Sequence, residues 1–210
     1  MTPSNDFRQE ELLAEVIAGL IGDARHVAVG ASSPIPAAAA LLARERGGGR
    51  PHVSLLGSRR QSFFTDGGCE LFDCAGQGRV DVFFLSGAQI DGEGNINLVS
   101  VGDYEHPKAR FPGSFGSTYL YYVVPKVILF RLEHSRRTLV PKVDFISAPG
   151  TSPAHVHRRA VRSRSSPIAA CSPSIAPTGV SGSRACIPGT RSPRSSSIPA
   201  SISTARRRRR

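Results

Sequence analysis

Leu12, Leu13, Val16, Ile17, Leu20 and Ile21 recur at helical spacing with charged residues between them. That spacing lines one face of an amphipathic helix, ended by Gly22. The pattern then changes. "HVAVG" at 26–30 reads as a buried strand. It runs through "ASSPIP" into the alanine-rich helix "AAAALLARE", which Ser33 can cap and Pro34 or Pro36 can start. "PHVSLLG" at 51–57, "VDVFFLSG" at 80–87 and "VPKVILFRL" at 124–132 read as further buried strands, and "TLVPKVDFIS" closes the series. Strands alternate with helices early and with hairpins late. The fold class expected is α/β, a largely parallel sheet flanked by helices.

The segment "GAQIDGEGNINLVSVGDY" at 87–104 is the first hairpin. Asp91-Gly92 and Glu93-Gly94 supply its turn chemistry, because Gly takes a positive φ without penalty. It also carries Gln89, Asn95 and Asn97, side chains suited either to orienting a ligand or to satisfying the turn's own backbone. In open α/β sheets, ligands sit beyond the carboxyl ends of the strands. Gly30, Gly57, Gly87 and the loop "FPGSFGS" at 111–117 fall there. Gly113 and Gly116 flank Ser114 and Phe115, which fits a loop passing close to a ligand and fits a structural turn equally. Peptide N–H groups in such a loop could serve an anion or a developing oxyanion.

Charge narrows the class of partner. The net charge of +11 comes from 27 basic and 16 acidic residues. All 16 acids and 15 of the bases lie in residues 1–150, leaving 12 arginines and no lysine or acid in 151–210. The part that can fold lacks a basic excess, so no nucleic-acid partner is expected. No apolar run nears the roughly 18 residues of a bilayer span. Asp6, Glu10, Glu11 and Glu15 stand where a secretory signal would be basic and then apolar. A cytoplasmic protein without a membrane partner is the expectation. Cys69 and Cys74 lack zinc-knuckle spacing and have no matching pair, with Cys171 and Cys186 far along the chain. His26, His52, His106 and His134 lack metal-ligand spacing, so no metal site is expected. "GASSP" is not a P-loop, since no Gly-Lys-Ser/Thr follows.

Residues 151–210 contain no Leu, Phe, Tyr, Lys or acid and end in Arg206 to Arg210. Such a composition cannot bury a core. The domain expected is therefore 1–150, followed by a disordered Arg/Ser/Pro-rich tail. A basic arm is one explanation and a changed reading frame is the favoured one. Plausible GC-rich codons for "RSSPIAACSPSIA" at 164–176, read from the third base of Arg164, can give LITDRCLFSFDR. That string restores acids, aromatics and strand-like alternation. The junction falls between His157 and Arg164.

Several of these loops, taken in order, resemble a β subunit of the family I CoA-transferases, the glutaconate and 3-oxoacid type. "VAVGASSPIPAAAALLA" is similar to the family's strand, Gly-x-Gly-x-Pro loop and helix, with Ser32 where the second Gly is usual. "GAQIDGEGNINLVSVG" resembles the signature Gly-Ala-x-x-Val-Asp-x-x-Gly-Asn-x-Asn. "FPGSFGS" resembles the Pro-Gly-x-Gly-Gly loop, with Phe115 where a Gly is common. The resemblance covers about residues 5 to 150. It implies an acyl-CoA thioester as substrate, no bound cofactor and a CoA-transferase α subunit as partner. The implied substrate- and CoA-binding positions are Gly57, Arg59, Arg60, Gln89, Asn95, Asn97, Gly113, Ser114 and Gly116.

Family chemistry uses a β-subunit Glu that attacks the thioester, passes through an anhydride and holds CoA as a glutamyl thioester. Only a carboxylate can carry CoA between two acids in this way. Here Leu55 or Leu56 stands where that Glu is expected, and no Glu occurs between Glu45 and Glu70. Two readings follow. One is a transferase whose nucleophile is displaced or supplied by the α partner. The other resembles transferase-like hydrolases that open a cyclic β-ketoacyl-CoA in bacterial steroid breakdown, with acid/base groups largely from the α subunit. Arg59 and Arg60 would suit a substrate with extra carboxylates, which guanidinium binds bidentately, or form a solvated pair. An inactive, truncated remnant stands as a third possibility.

Overall fold

The computed structural model describes residues 8–159. The expectations for the tail beyond 159, with Cys171 and Cys186, lie outside the described residues. Helix α1 spans Gln9–Ile21, as the apolar spacing predicts, but its buried stripe is Leu13, Ala14, Ile17, Ala18 and Ile21; of the expected face, Leu12 and Leu20 are only partly buried and Val16 is exposed. Its first turn is closed by Glu11, whose carboxylate accepts from the Arg8 N–H at 3.0 Å. Strand β1 (His26–Val29) follows and leads into α2 (Pro34–Arg46). Ser33 occupies the N-cap position of α2 but makes no side-chain cap bond. A capping side chain accepts from the second or third helical N–H, and Pro36 removes the third. Ser33 Oγ turns instead toward the Ala31 carbonyl, at 3.4 Å.

Strands β2 (His52–Leu55), β3 (Val82–Leu85) and β8 (Lys126–Leu129) join β1 in one sheet, ordered β2-β1-β3-β8 and parallel throughout. Both faces are covered. Val27, Val29, Val82, Phe84 and Ile128 face a core shared with α1 and α2. Ala28, Phe83, Leu85 and Leu129 face a second core on the other side. A sheet buried on both faces needs near-continuous apolar strands, which is why "VFFL" lacks alternation.

Two helices that the sequence pattern does not announce complete the second layer. Helix α3 (Gly67–Gly76) buries Leu71 and Ala75, one turn apart. Helix α4 (Ser117–Val123) is built from aromatic and β-branched residues that favour strands. Burial of Leu120 and Tyr121 in the second core overrides that preference. Between β3 and α4 run two small antiparallel pairs, β4 (Gln89–Ile90) with β5 (Ile96–Asn97), and β6 (Ser100–Gly102) with β7 (Pro107–Arg110).

The expected last strand, "TLVPKVDFIS" at 138–147, does not form. Pro141 offers no N–H to a ladder, and the segment meets the first hairpin only at isolated bridges, Leu139 with Ile90 and Ala148 with Ile96. Ile90 N donates to the Thr138 carbonyl at 2.8 Å, Val140 N to the Ile90 carbonyl at 3.0 Å, and Ser147 N to the Ile96 carbonyl at 2.9 Å. The segment is a strap that closes both edges of β4–β5. No helix among the described residues is long and apolar enough to cross a membrane.

Candidate active site

Because the four strands run parallel, the loops leaving Val29, Leu55 and Leu85 share one edge of the sheet. Strand β1 has β2 on one side and β3 on the other, so the connections part there, the switch point at which open α/β sheets take ligands. Gly30 and Gly87 follow β1 and β3 at that point. The Leu56 N–H donates to the Val29 carbonyl at 3.0 Å, which carries the β2 loop alongside the β1 loop. Gly57 then turns with φ +79° beside Ala31.

The β2 loop is closed on itself. Leu55 N donates to the Gln61 carbonyl at 2.9 Å, and Gln61 N to Ser58 Oγ at 3.2 Å. Arg44 of α2 reaches Gln61 Oε1 at 2.9 Å. Leu55 packs into the first core and Leu56 into the second. Arg59 and Arg60 are exposed and form no ion pair among the described residues. Glu70, the next carboxylate of its type, is held by Thr65, whose N–H donates to it at 2.6 Å and whose hydroxyl also donates. The Thr65 hydroxyl and N–H keep its carboxyl below the usual range.

The hairpin amides turn inward. Gln89, Asn95 and Asn97 are exposed by 5%, 5% and 0%. Gln89 Nε2 donates to Asp144 Oδ2 at 2.9 Å, and Gln89 Oε1 accepts from the Asp144 N–H at 3.0 Å. Asn97 Nδ2 donates to the Ser100 carbonyl at 2.6 Å, while its Oδ1 accepts from the N–H groups of Val99 and Ser100 at 3.0 and 3.2 Å. Asn95 Nδ2 donates to Asp91 Oδ2 at 3.0 Å, and Asn95 Oδ1 accepts from Gly150 N at 2.9 Å. Asp91, the acid of the hairpin signature, and Asp144, which no sequence motif singles out, are thus the hinges of this network. The Gly102 N–H and the Gln89 amide keep the Asp144 carboxyl below its ordinary value.

The third loop, 111–117, is anchored by Phe111 N to the Val99 carbonyl at 2.9 Å and Gly113 N to the Leu98 carbonyl at 3.1 Å. Gly113 takes φ +100°. Among the described residues, the N–H groups of Ser114, Phe115 and Gly116 donate to no backbone carbonyl. A Cβ on Gly116 would overlap the Phe72 ring of α3, so that ring demands glycine there. Both positions where the sequence departs from glycine-rich loops are left-handed: Ser32 has φ +57° and Phe115 φ +44°. Such a conformation costs an L-residue about 1–2 kcal/mol.

The histidines belong elsewhere. His26 and His52 start β1 and β2 at the opposite edge and line a cavity of about 360 Å³. His26 Nε2 is 2.8 Å from Ser54 Oγ, and Nδ1 is 2.9 Å from the Arg79 carbonyl. Burial lowers the His26 pKa, against the raising effect of the Arg79 carbonyl. Among the described residues no group of three or more His, Cys, Asp or Glu is placed to hold a metal ion.

Three loops therefore meet at one edge of a parallel sheet, and residues 54–163 match the Coenzyme A transferase family. The chain belongs to the coenzyme A transferase family. The match covers the β2 loop, the hairpin and the 111–117 loop together. Within the family, the chain is 41% identical over 69 residues to the B subunit of glutaconate CoA-transferase from Acidaminococcus fermentans, covering 33% of this chain and 25% of that protein. It is 42% identical over 82 residues to the B subunit of 3-oxoadipate CoA-transferase from Pseudomonas knackmussii, covering 39% and 31%. These matches span only about a quarter to a third of those relatives' length. The fold is also that of the decarboxylase AibA/AibB, with a TM-score of 0.62, 26% identity, and coverage of 80% of this chain and 72% of that one.

Proposed function

We propose that this chain is the β subunit of a heteromeric coenzyme A transferase that acts on acyl-CoA thioesters, with its site at the carboxyl ends of β1, β2 and β3. The observation that carries this reading is the convergence of the Gly57, Gly87 and 111–117 loops at one edge, with the family match running through all three. In this reading the free N–H groups of Ser114, Phe115 and Gly116 face the thioester carbonyl or a carboxylate of the substrate. Donors fixed in advance at such an oxygen stabilise the charge that develops in acyl transfer. Arg59 and Arg60 serve acidic groups of the substrate. Gln89, Asn95 and Asn97 act at one remove, holding the hairpin against the strap so that Gly87 and its neighbours keep their place. An α subunit supplies the rest of the site.

A second reading rests on Leu55 and Leu56. A glutamyl thioester needs a carboxylate where β2 ends, and Leu55 and Leu56 there are apolar. Hydrolytic opening of a cyclic β-ketoacyl-CoA, with water directed by α-subunit groups, needs no such carboxylate. One experiment separates the two. The chain is assembled with its α subunit, given acyl-CoA and treated with borohydride, which reduces glutamyl thioesters. Acyl-CoA turnover with an unchanged mass on both chains supports hydrolysis. An adduct on Glu70, on Asp66 or on the α subunit supports transfer with a displaced or partner-supplied nucleophile. Absence of acyl-CoA turnover by the assembled pair defeats both.

A further inference from the structure

Phe115 is 91% exposed and left-handed, so neither burial nor local conformation rewards a large side chain there. Residues held in sparsely populated backbone regions cluster at ligand sites, where a bound molecule supplies the missing contact. The ring is not isolated. Its centroid is 5.7 Å from that of Phe72, which in turn lies 5.9 Å from Tyr119, itself 44% exposed. Gly116 admits Phe72, and the Phe115 ring lies over Gly68 at the start of α3. Phe72 and Leu56 pack against the same core cluster, which joins these rings to the β2 loop.

We propose that Phe115, Phe72 and Tyr119 form an aromatic shelf that binds the apolar part of the acyl group, making Phe115 a residue that selects bulky, ring-bearing acyl-CoA thioesters over short ones. This rests on the acyl-CoA reading above. A subunit contact is the competing occupant. Three rings, two of them more than half covered, expose far less than the roughly 800 Å² that each partner gives to a stable interface. They do match one ligand ring, since aromatic pairs stack with centroids about 4.5–7 Å apart. The shelf also borders the free N–H groups of Ser114 to Gly116, so a thioester held there would direct its acyl group across the rings.

The test uses the full chain assembled with its α subunit, and the variant Phe115→Gly, which removes the ring while keeping a residue at home at positive φ. Dissociation constants are measured for two unreactive CoA thioethers, one with a two-carbon group and one with a cyclohexylacetyl-sized group. The shelf predicts that Phe115→Gly weakens the bulky analogue roughly tenfold and leaves the short one unchanged. Tyr119→Ala, in a separate variant, weakens the bulky analogue in the same selective way. Equal weakening of both analogues, or of neither, overturns the proposal. Dissociation of the subunits at unchanged ligand affinity assigns the rings to the interface and overturns it as well. If the wild-type pair binds neither analogue, the acyl-CoA reading itself fails.

Discussion

Gln89 and Asn97 are direct partners across β4 and β5, and Asn97 Nδ2 donates to Gln89 Oε1 at 2.7 Å inside the protein. The same Gln89 is bonded in both directions to Asp144, 55 residues away. Two amides that look like ligand contacts in the sequence thereby staple the hairpin to the strap. Asn97→Ala strips partners from the Val99 and Ser100 N–H groups, and each buried unsatisfied group costs about 1–3 kcal/mol. A loss of about 2–4 kcal/mol in denaturant unfolding is expected. A variant of unchanged stability that loses turnover would instead give Asn97 a direct place at the substrate.

Ser32 lies in the β1 loop at φ +57°. Ser32→Gly removes the left-handed penalty but makes the unfolded chain more flexible, so the net gain expected is about 0.5–1 kcal/mol. Ser32→Val should destabilise, because a β-branched side chain fits that region poorly. Thermal or denaturant melts of both variants check the pair. A destabilised Ser32→Gly would mean that the hydroxyl outweighs the strain.

His26 predicts a pH dependence of stability. Its folded pKa is lowered, first by burial. A group whose folded value lies below its unfolded one stabilises fully above the unfolded value, near 6.5, and loses that contribution as pH falls through the folded value. Stability should decline as the solution is taken from pH 7 toward the folded pKa. His26→Gln should flatten this limb. Ring-proton titration by NMR should place the His26 midpoint below the ordinary histidine value. A midpoint at or above that value contradicts the burial argument.

The proposed change of frame between His157 and Arg164 is open to direct sequencing. An insertion or deletion of one or two bases in that interval is expected, and the corrected chain should regain acids and aromatics beyond it. The match to the family runs to residue 163. Arg158 is buried against the rings of Tyr121 and Tyr122, with its Nη2 donating to the Tyr121 carbonyl at 3.0 Å. An unbroken frame over a verified gene refutes the proposal.

Sequence alone determined the parallel sheet. "HVAVG", "HVSLL" and "VDVFFL" are apolar enough to be buried on both faces, and turn residues at their ends mark the edge proposed for the site. Local chemistry suffices for that, because strand burial and positive φ leave their mark residue by residue. The structure alone decided what the polar side chains do. Nothing near Gln89 in sequence announces Asp144, and nothing near Phe72 announces Phe115. Hydrogen bonding and ring packing between segments tens of residues apart depend on the fold that brings them together. Helix α4 makes the same point. Its residues prefer a strand, and it is helical because Leu120 and Tyr121 fill the second core. The expected last strand fails for a related reason: Pro141 and the waiting edges of β4–β5 make a strap the better way to satisfy that backbone.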